Sequence, residues 1–196
     1  MSPLLGHFTP KAVVHGHMQE GAPPDIDDAS LVERLRQQDE AAFDALYLRY
    51  ARYLAGVVFR LLGADDEIDD VLQESFVDAV EGIDSLEDTS RLRWWLVTIA
   101  VRRVHRVLAA RRRRRNIASA FAVIAPKTHP AASDRPLTEL QKALDALPPK
   151  LRVPWILSRI EQLELADVAT GCSISLATAK RRIAAADERM RRRLDA

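Results

Sequence analysis

The side chains of this 196-residue chain that could do chemistry are charged, and the chemistry they offer is ionic recognition rather than bond making. Eight arginines fall within residues 102–115, directly behind Trp94 and Trp95. Five are consecutive: Arg111, Arg112, Arg113, Arg114 and Arg115 make every face of a helix cationic, a density that a polyanion neutralises best. Cations near a helix C-terminal dipole would account for one or two of these, not for five in succession. The stretch ahead is the reverse. Residues 19–90 hold 19 Asp and Glu against 5 Lys and Arg, whereas residues 91–115 hold 10 Arg and no acid. The formal net charge of +1 conceals both blocks. A chain made only to bind nucleic acid would be basic throughout, so the two blocks point to two partners, a polyanion and a basic protein surface.

Helical projection sharpens both. In the segment from Ile68 to Ile83, the residues Ile68, Val71, Leu72, Phe76, Ala79, Val80 and Ile83 make one apolar stripe. Opposite it lie Asp70, Gln73, Glu74, Asp78 and Glu81, with Val77 among them. A solvated acidic face is the plain reading. An apolar residue at the centre of a one-signed face is also the layout of a contact surface with a dry core and a charged rim. In the basic helix, Trp95, Leu96, Ile99, Ala100, Val104 and Val107 form an apolar arc to be packed, while Arg102, His105 and Arg106 point toward solvent or phosphate. Arg103 falls inside the arc, where it must snorkel or pair with an acid.

Further on, Leu163 to Met190 reads as a helix-turn-helix. Leu165, Val168 and Ala169 supply the packed face of a first helix, Gly171, Cys172 and Ser173 a turn, and Ile174 an apolar plug. Ser175 can cap a second helix that presents Thr178, Lys180, Arg181 and Arg182 within its first two turns. At that end of a recognition helix, Lys or Arg can reach guanine O6 and N7 in the major groove.

The elements that must position these groups are helical. Only 7 Gly accompany long Ala, Leu, Arg and Glu-rich stretches, and β-branched alternation is scarce, so the fold class is all-α: two small helical domains. Residues 1–28 read as a flexible tail, and residues 29–115 as a first domain with helices over Leu31–Gln37, Glu40–Leu62, Ile68–Ile83 and Arg91 to about Arg115. Asp39 is a candidate N-cap of the second helix and Gly63 its C-terminal signal. Residues 116–136, with three Pro, suit a flexible linker, and residues 137–196 form a second domain whose first two helices are parted by Pro148 and Pro149. The single Cys172 cannot form an internal disulfide, which fits a reducing cytosol. No apolar run approaches the roughly 18 residues of a membrane span, and no signal-peptide pattern opens the chain, so a cytoplasmic protein is expected. His7, His15 and His17 lack a second ligand cluster, and no P-loop or nucleophile–base pair is visible: no metal, no cofactor and no enzymatic activity are expected.

Taken together, Leu31 to Ala196 resembles the bacterial RNA polymerase sigma factors of the extracytoplasmic function group, the minimal two-domain members of the sigma-70 family. The resemblance is carried, in order, by LVERLRQQDEAAFDALYLRY, EIDDVLQESF, RLRWWLVTIA with its arginine run, ALDALPPKLR and ELADVATGCSISLATAKRRI. It implies a promoter-specificity subunit that binds core RNA polymerase and promoter DNA. Asp70, Gln73, Glu74 and Val77, with Asp78 beside them, would dock on the clamp coiled coil of the largest subunit. The loop from Ser85 to Arg93 and the start of the next helix would capture an unstacked base of the minus-10 non-template strand, with Ser85, Arg91, Arg93, Trp94, Arg102, His105 and Arg106 as contacts. Arg111 to Arg115 would hold phosphates, and Ser175, Thr178, Lys180, Arg181 and Arg182 would read the minus-35 duplex. A cognate anti-sigma factor is also implied.

Some positions depart from the family pattern. Val101 and Arg102 stand where Arg and Asn are usual, and Arg106 replaces a common Asp, so minus-10 preference does not transfer. Ala185 and Asp187 occupy places where arginines are frequent, which shifts phosphate grip toward Lys180, Arg181 and Arg182. Ser173 replaces a usual turn Gly, at a cost of up to about 1 kcal/mol if the backbone there needs positive φ. Two rival readings use fewer of these features. A free-standing helix-turn-helix regulator leaves the acidic face without a role, and a protein-sequestering helical adaptor has no need of Arg111 to Arg115.

Overall fold

The computed structural model describes residues 26–63, 67–121 and 138–194. The three tail histidines and most of the expected linker lie outside them. The described residues form eight α-helices and no strand: α1 (Asp28–Arg36), α2 (Glu40–Leu62), α3 (Ile68–Glu81), α4 (Leu92–Phe121), α5 (Glu139–Asp145), α6 (Pro149–Arg159), α7 (Leu165–Gly171) and α8 (Leu176–Leu194). Two single 3-10 turns, Ile83–Ser85 and Thr89–Arg91, join α3 to α4. The described residues divide into two compact units, one of those up to Val57 with Glu67–Ala100, the other of those from Val58 to Gly63 with those from Val101 onward.

In the first unit α1 begins earlier than the sequence pattern predicts. Asp27 caps it by accepting the Ser30 N–H at 2.8 Å, and Asp28, assigned to the tail from sequence, is its first residue. The Asp28 carboxylate accepts from Tyr50 Oη at 2.6 Å and Arg49 Nη1 at 2.9 Å, contacts 22 and 21 residues away that no local pattern reveals. The expected Asp39 cap is present: its carboxylate takes the Ala41 N–H at 3.0 Å and pairs with Arg34 Nε at 2.7 Å. The α3 stripe packs as its spacing requires, with Val71, Leu72, Phe76 and Ala79 buried and the Phe76 ring 4.8 Å from that of Tyr47. Helix α3 ends at Glu81, and Ile83, expected within it, opens the first 3-10 turn instead.

In the second unit α4 continues through Asn116 to Phe121, where a linker was expected. Thr138 caps α5 through the Gln141 N–H, and Pro149 stands in the first turn of α6, where its missing N–H costs nothing. Ala179, Ile183, Ala186 and Met190 make the buried stripe of α8, and Val168 and Ala169 that of α7. Gly63 closes α2 at φ 87°, a backbone conformation that favours glycine, and a Cβ there would stand a tight 3.2 Å from Asp145 Oδ1.

The turn between α7 and α8 takes its positive φ at Ser173 (54°) and not at Gly171. The Ser173 and Ile174 N–H groups bond back to the Thr170 and Ala169 carbonyls, which closes α7. Ser173→Gly is therefore expected to stabilise the unit by about 0.5–1 kcal/mol, less the extra freedom glycine gives the unfolded chain. A thermal melt checks this, and a Tm that falls means the serine side chain contributes more than the strain costs.

Candidate nucleic-acid interface

Helix α3 turns its apolar stripe inward and leaves Asp70, Gln73 and Glu74 exposed, with Val77 and Asp78 half-buried beside them. The acidic face thus exists as a surface in the first unit, with a partly sheltered valine at its centre. Ser75, which the sequence reading did not single out, is buried there and donates to the Val71 carbonyl at 2.6 Å, so a polar residue sits on the inner face without an orphaned hydroxyl.

The segment between α3 and α4 is a loop built on two turns. Ser85 is exposed, and its hydroxyl donates to the Gly82 carbonyl at 2.7 Å. The Asp88 carboxylate accepts the Ser90 hydroxyl at 2.6 Å and the Ser90 N–H at 3.0 Å, bonds that hold its pKa below the usual carboxylate value. Across the loop, the Arg91 guanidinium lies 4.4 Å over the Trp94 ring, and the Arg93 guanidinium lies 4.3 Å over the Tyr53 ring of α2. The buried Trp94 indole N–H finds no acceptor among the described residues. Ser85, Arg91, Arg93 and Trp94 thus share one unit, and cationic and aromatic planes of this kind suit an unstacked base. Tyr53 and Arg36, whose guanidinium donates to the Leu86 carbonyl at 2.6 Å, were not legible in the sequence, since both act across the fold.

Arg102, His105, Arg106 and the arginine run lie on the part of α4 that belongs to the second unit. Arg102 and Arg106 are exposed, as are Arg112 to Arg115. Two expectations are corrected. His105 does not point into solvent; it is half-buried, and burial, followed by the charge of Arg182, lowers its pKa. Arg111 differs from the four arginines behind it: half-buried, it donates to the Leu62 carbonyl at 3.4 Å, and its pKa is lowered by burial and by Arg152, Arg114 and Arg115. Both residues face inward because α4 is sheltered on this side, which a projection of one helix cannot show.

The His105 shift predicts a pH dependence. Its folded-state pKa lies below the ordinary 6.5, so on acidification the unfolded chain takes up this proton first. The stability is present above that value and is lost as pH falls through it toward the folded pKa. Melts from pH 7 to pH 5 should show a declining Tm, with a smaller decline in His105→Gln; equal declines would remove His105 as the cause.

In the second unit, Ser175 caps α8 as expected: its Oγ accepts the Thr178 N–H at 3.2 Å, and its hydroxyl donates to Thr178 Oγ1 at 2.9 Å. Lys180 and Arg181 are exposed and Thr178 and Arg182 half-buried, so the cationic start of α8 is presented outward while Ala179 and Ile183 anchor it. Asp187 turns out to be structural. It accepts the Trp155 indole N–H at 2.8 Å and pairs with Arg159 at 2.6 Å, tying α8 to α6, and the Arg159 bond chiefly lowers its pKa. Cys172 is buried, its thiol pushed up to about 12 by desolvation, so it is no nucleophile. Among the described residues no three His, Cys, Asp or Glu are grouped to hold a metal, and no helix is long and apolar enough to cross a membrane.

Comparison with known proteins identifies the family. Residues 46–115 match the model of the family Sigma-70 region 2, and residues 137–190 that of Sigma-70, region 4. The ECF RNA polymerase sigma-E factor of Haemophilus influenzae is 32% identical over an alignment of 176 residues, with 83% of this chain and 93% of that protein covered. The factor of the same name from Escherichia coli K12 is 28% identical over an alignment of 176 residues, with 83% of this chain and 92% of its own length covered. Among solved structures, the sigma factor RpoE from Bartonella quintana, in complex with the anti-sigma factor NepR, superposes with a TM-score of 0.62 at 25% identity, covering 79% of this chain and 97% of that one. CnrH, in complex with the cytosolic domain of CnrY, shares the fold at a TM-score of 0.59 and 22% identity, covering 86% of this chain and 97% of that one.

Proposed function

This chain belongs to the sigma-70 family of RNA polymerase sigma factors, in the extracytoplasmic function group, and we propose that it confers promoter specificity through three separate surfaces. It is a sigma factor acting in promoter-specific transcription initiation, with core RNA polymerase and promoter DNA as partners. On our reading Asp70, Gln73, Glu74, Val77 and Asp78 of α3 dock on the clamp helices of the polymerase largest subunit, the acidic rim calling for a basic surface there. Ser85, Arg91, Arg93 and Trp94 hold a flipped base of the minus-10 strand, and Arg102, Arg106 and Arg112 to Arg115 run along phosphates. Thr178, Lys180, Arg181 and Arg182, behind the Ser175 cap, read the minus-35 duplex.

The observation that carries this reading is the presence, in one chain, of an exposed acidic α3 face and a capped, outward-facing cationic start of α8. Neither rival reading uses both. The protein performs no catalysis itself, needs no cofactor, and works in the cytoplasm beside the polymerase. A relative is seen bound to an anti-sigma factor; an anti-sigma factor that covered the α3 face would silence this chain by keeping it from core polymerase.

The test is transcription from a genomic fragment library by purified core polymerase, with and without the protein. New start sites that share two spaced upstream motifs are expected. No new starts from a chain that still binds core would make it a polymerase-binding regulator instead, and failure to bind core would favour the free-standing DNA-binding reading.

A further inference from the structure

Between the turns Ile83–Ser85 and Thr89–Arg91 the backbone is extended, with φ, ψ of −82°, 98° at Leu86 and −107°, 104° at Asp88. Each turn closes its own hydrogen bonds: the Leu86 N–H to the Ile83 carbonyl at 3.1 Å, the Arg91 N–H to the Asp88 carbonyl at 3.0 Å. The Leu86 carbonyl belongs to neither turn. It is taken by Arg36 Nη2 at 2.6 Å, a charge-assisted bond from a residue 50 positions away. Leu86 is buried while Glu87 and Asp88 are exposed, so the strap joining the Ser85 side of the loop to the Arg91 and Trp94 side is fastened from beneath at Leu86.

Arg36 stands on firm ground. Leu31 and Val32 are fully buried and Leu35 nearly so, and Arg34 is clamped to Asp39 at 2.7 Å. Asp28, at the other end of α1, is bonded to Tyr50 and Arg49 of α2. The Arg36 side chain is 31% exposed, with Glu33 at 3.8 Å as a weak counter-charge. It offers several donors in a fixed plane, so it can fix the direction of the carbonyl as well as its place. A pocket that must tell one base from another needs its walls held to about half an ångström, and here the fastening comes from α1, outside every surface assigned to DNA.

We infer that Arg36 is a positioning residue for base selection at the minus-10 element, acting through the Leu86 carbonyl to set the distance between the Ser85 and the Arg91–Trp94 walls of the loop. The inference rests on the assignment of that loop to the minus-10 strand.

The experiment uses full-length protein reconstituted with core polymerase and a forked promoter library, randomised over the single-stranded minus-10 stretch, with selected bases read by sequencing. The unaltered protein should enrich one base at the captured position. Arg36→Met should flatten that enrichment about tenfold, while affinity for core and for minus-35 duplex stays within about twofold of the original. Arg36→Lys, which keeps a charged donor, should recover most of the preference. Undiminished preference in a folded Arg36→Met overturns the inference and leaves the loop assignment standing. No base preference in the unaltered holoenzyme overturns the loop assignment and the inference with it. Should Arg36→Met lose its helical signal, Arg36→Gln replaces it with the same two readings, and collapse of both variants makes Arg36 structural and overturns the positioning role.

Discussion

Charge reversal at two positions of α3, Asp70→Lys with Glu74→Lys, should weaken binding to core polymerase by about 10²–10³-fold, equivalent to about 3–4 kcal/mol. Two carboxylates at an acidic rim become two like charges against a cationic partner, and like charges across an interface cost several kcal/mol together. The fold should survive, because both side chains are exposed and the buried residues Val71, Leu72, Phe76 and Ala79 are untouched. One modest penalty is expected, since Asp70 lies in the first turn of α3 and a cation there opposes the helix dipole by about 0.3–1 kcal/mol. Titration of labelled core with each protein reads the affinity, and circular dichroism reads the fold. Unchanged affinity in a folded double variant would take the docking assignment away from α3.

The second large effect is expected at the start of α8. Replacing Lys180 and Arg181 by alanine removes two exposed cations, while the Ser175 cap and the Ala179 and Ile183 anchors remain. If either contacts a guanine edge, discrimination at that position falls by about 1–3 kcal/mol, roughly 5- to 160-fold. If one contacts phosphate instead, binding weakens for all sequences alike and the dependence of log K on log salt becomes shallower by about 0.9 per lost contact. Anisotropy of holoenzyme on matched and mismatched minus-35 duplexes at several salt concentrations separates the two. Core affinity should not change, since that surface is assigned to another helix. Retained selectivity with a retained salt slope would mean that α8 does not read the duplex.

These two surfaces were legible in advance for a common reason: each is written along one helix. The acidic face of α3 follows from placing like charges three and four residues apart opposite an apolar stripe, and the cap and cations of α8 occupy one short stretch of local sequence, from Ser175 to Arg182. Caps at Asp39 and Gly63, the two-proline break before α6 and the all-α character are equally local. A pattern of this kind needs no partner from elsewhere in the chain, so its physics is complete within a few residues.

What escaped the sequence reading is contact between residues far apart. Asp28 looked like tail because its hydrogen bonds come from Tyr50 and Arg49; Asp187 looked like a weakened DNA contact because Trp155 and Arg159 are 32 and 28 residues away. His105 was aimed outward by a single-helix projection and Arg111 was grouped with the four arginines behind it; both are half-buried by what packs beside them. Sequence alone thus determined which residues carry charge and which helices carry them. Only the tertiary structure decided which of those charges remain available and which are spent inside the fold, because burial and long-range hydrogen bonds depend on distances that chain order does not set.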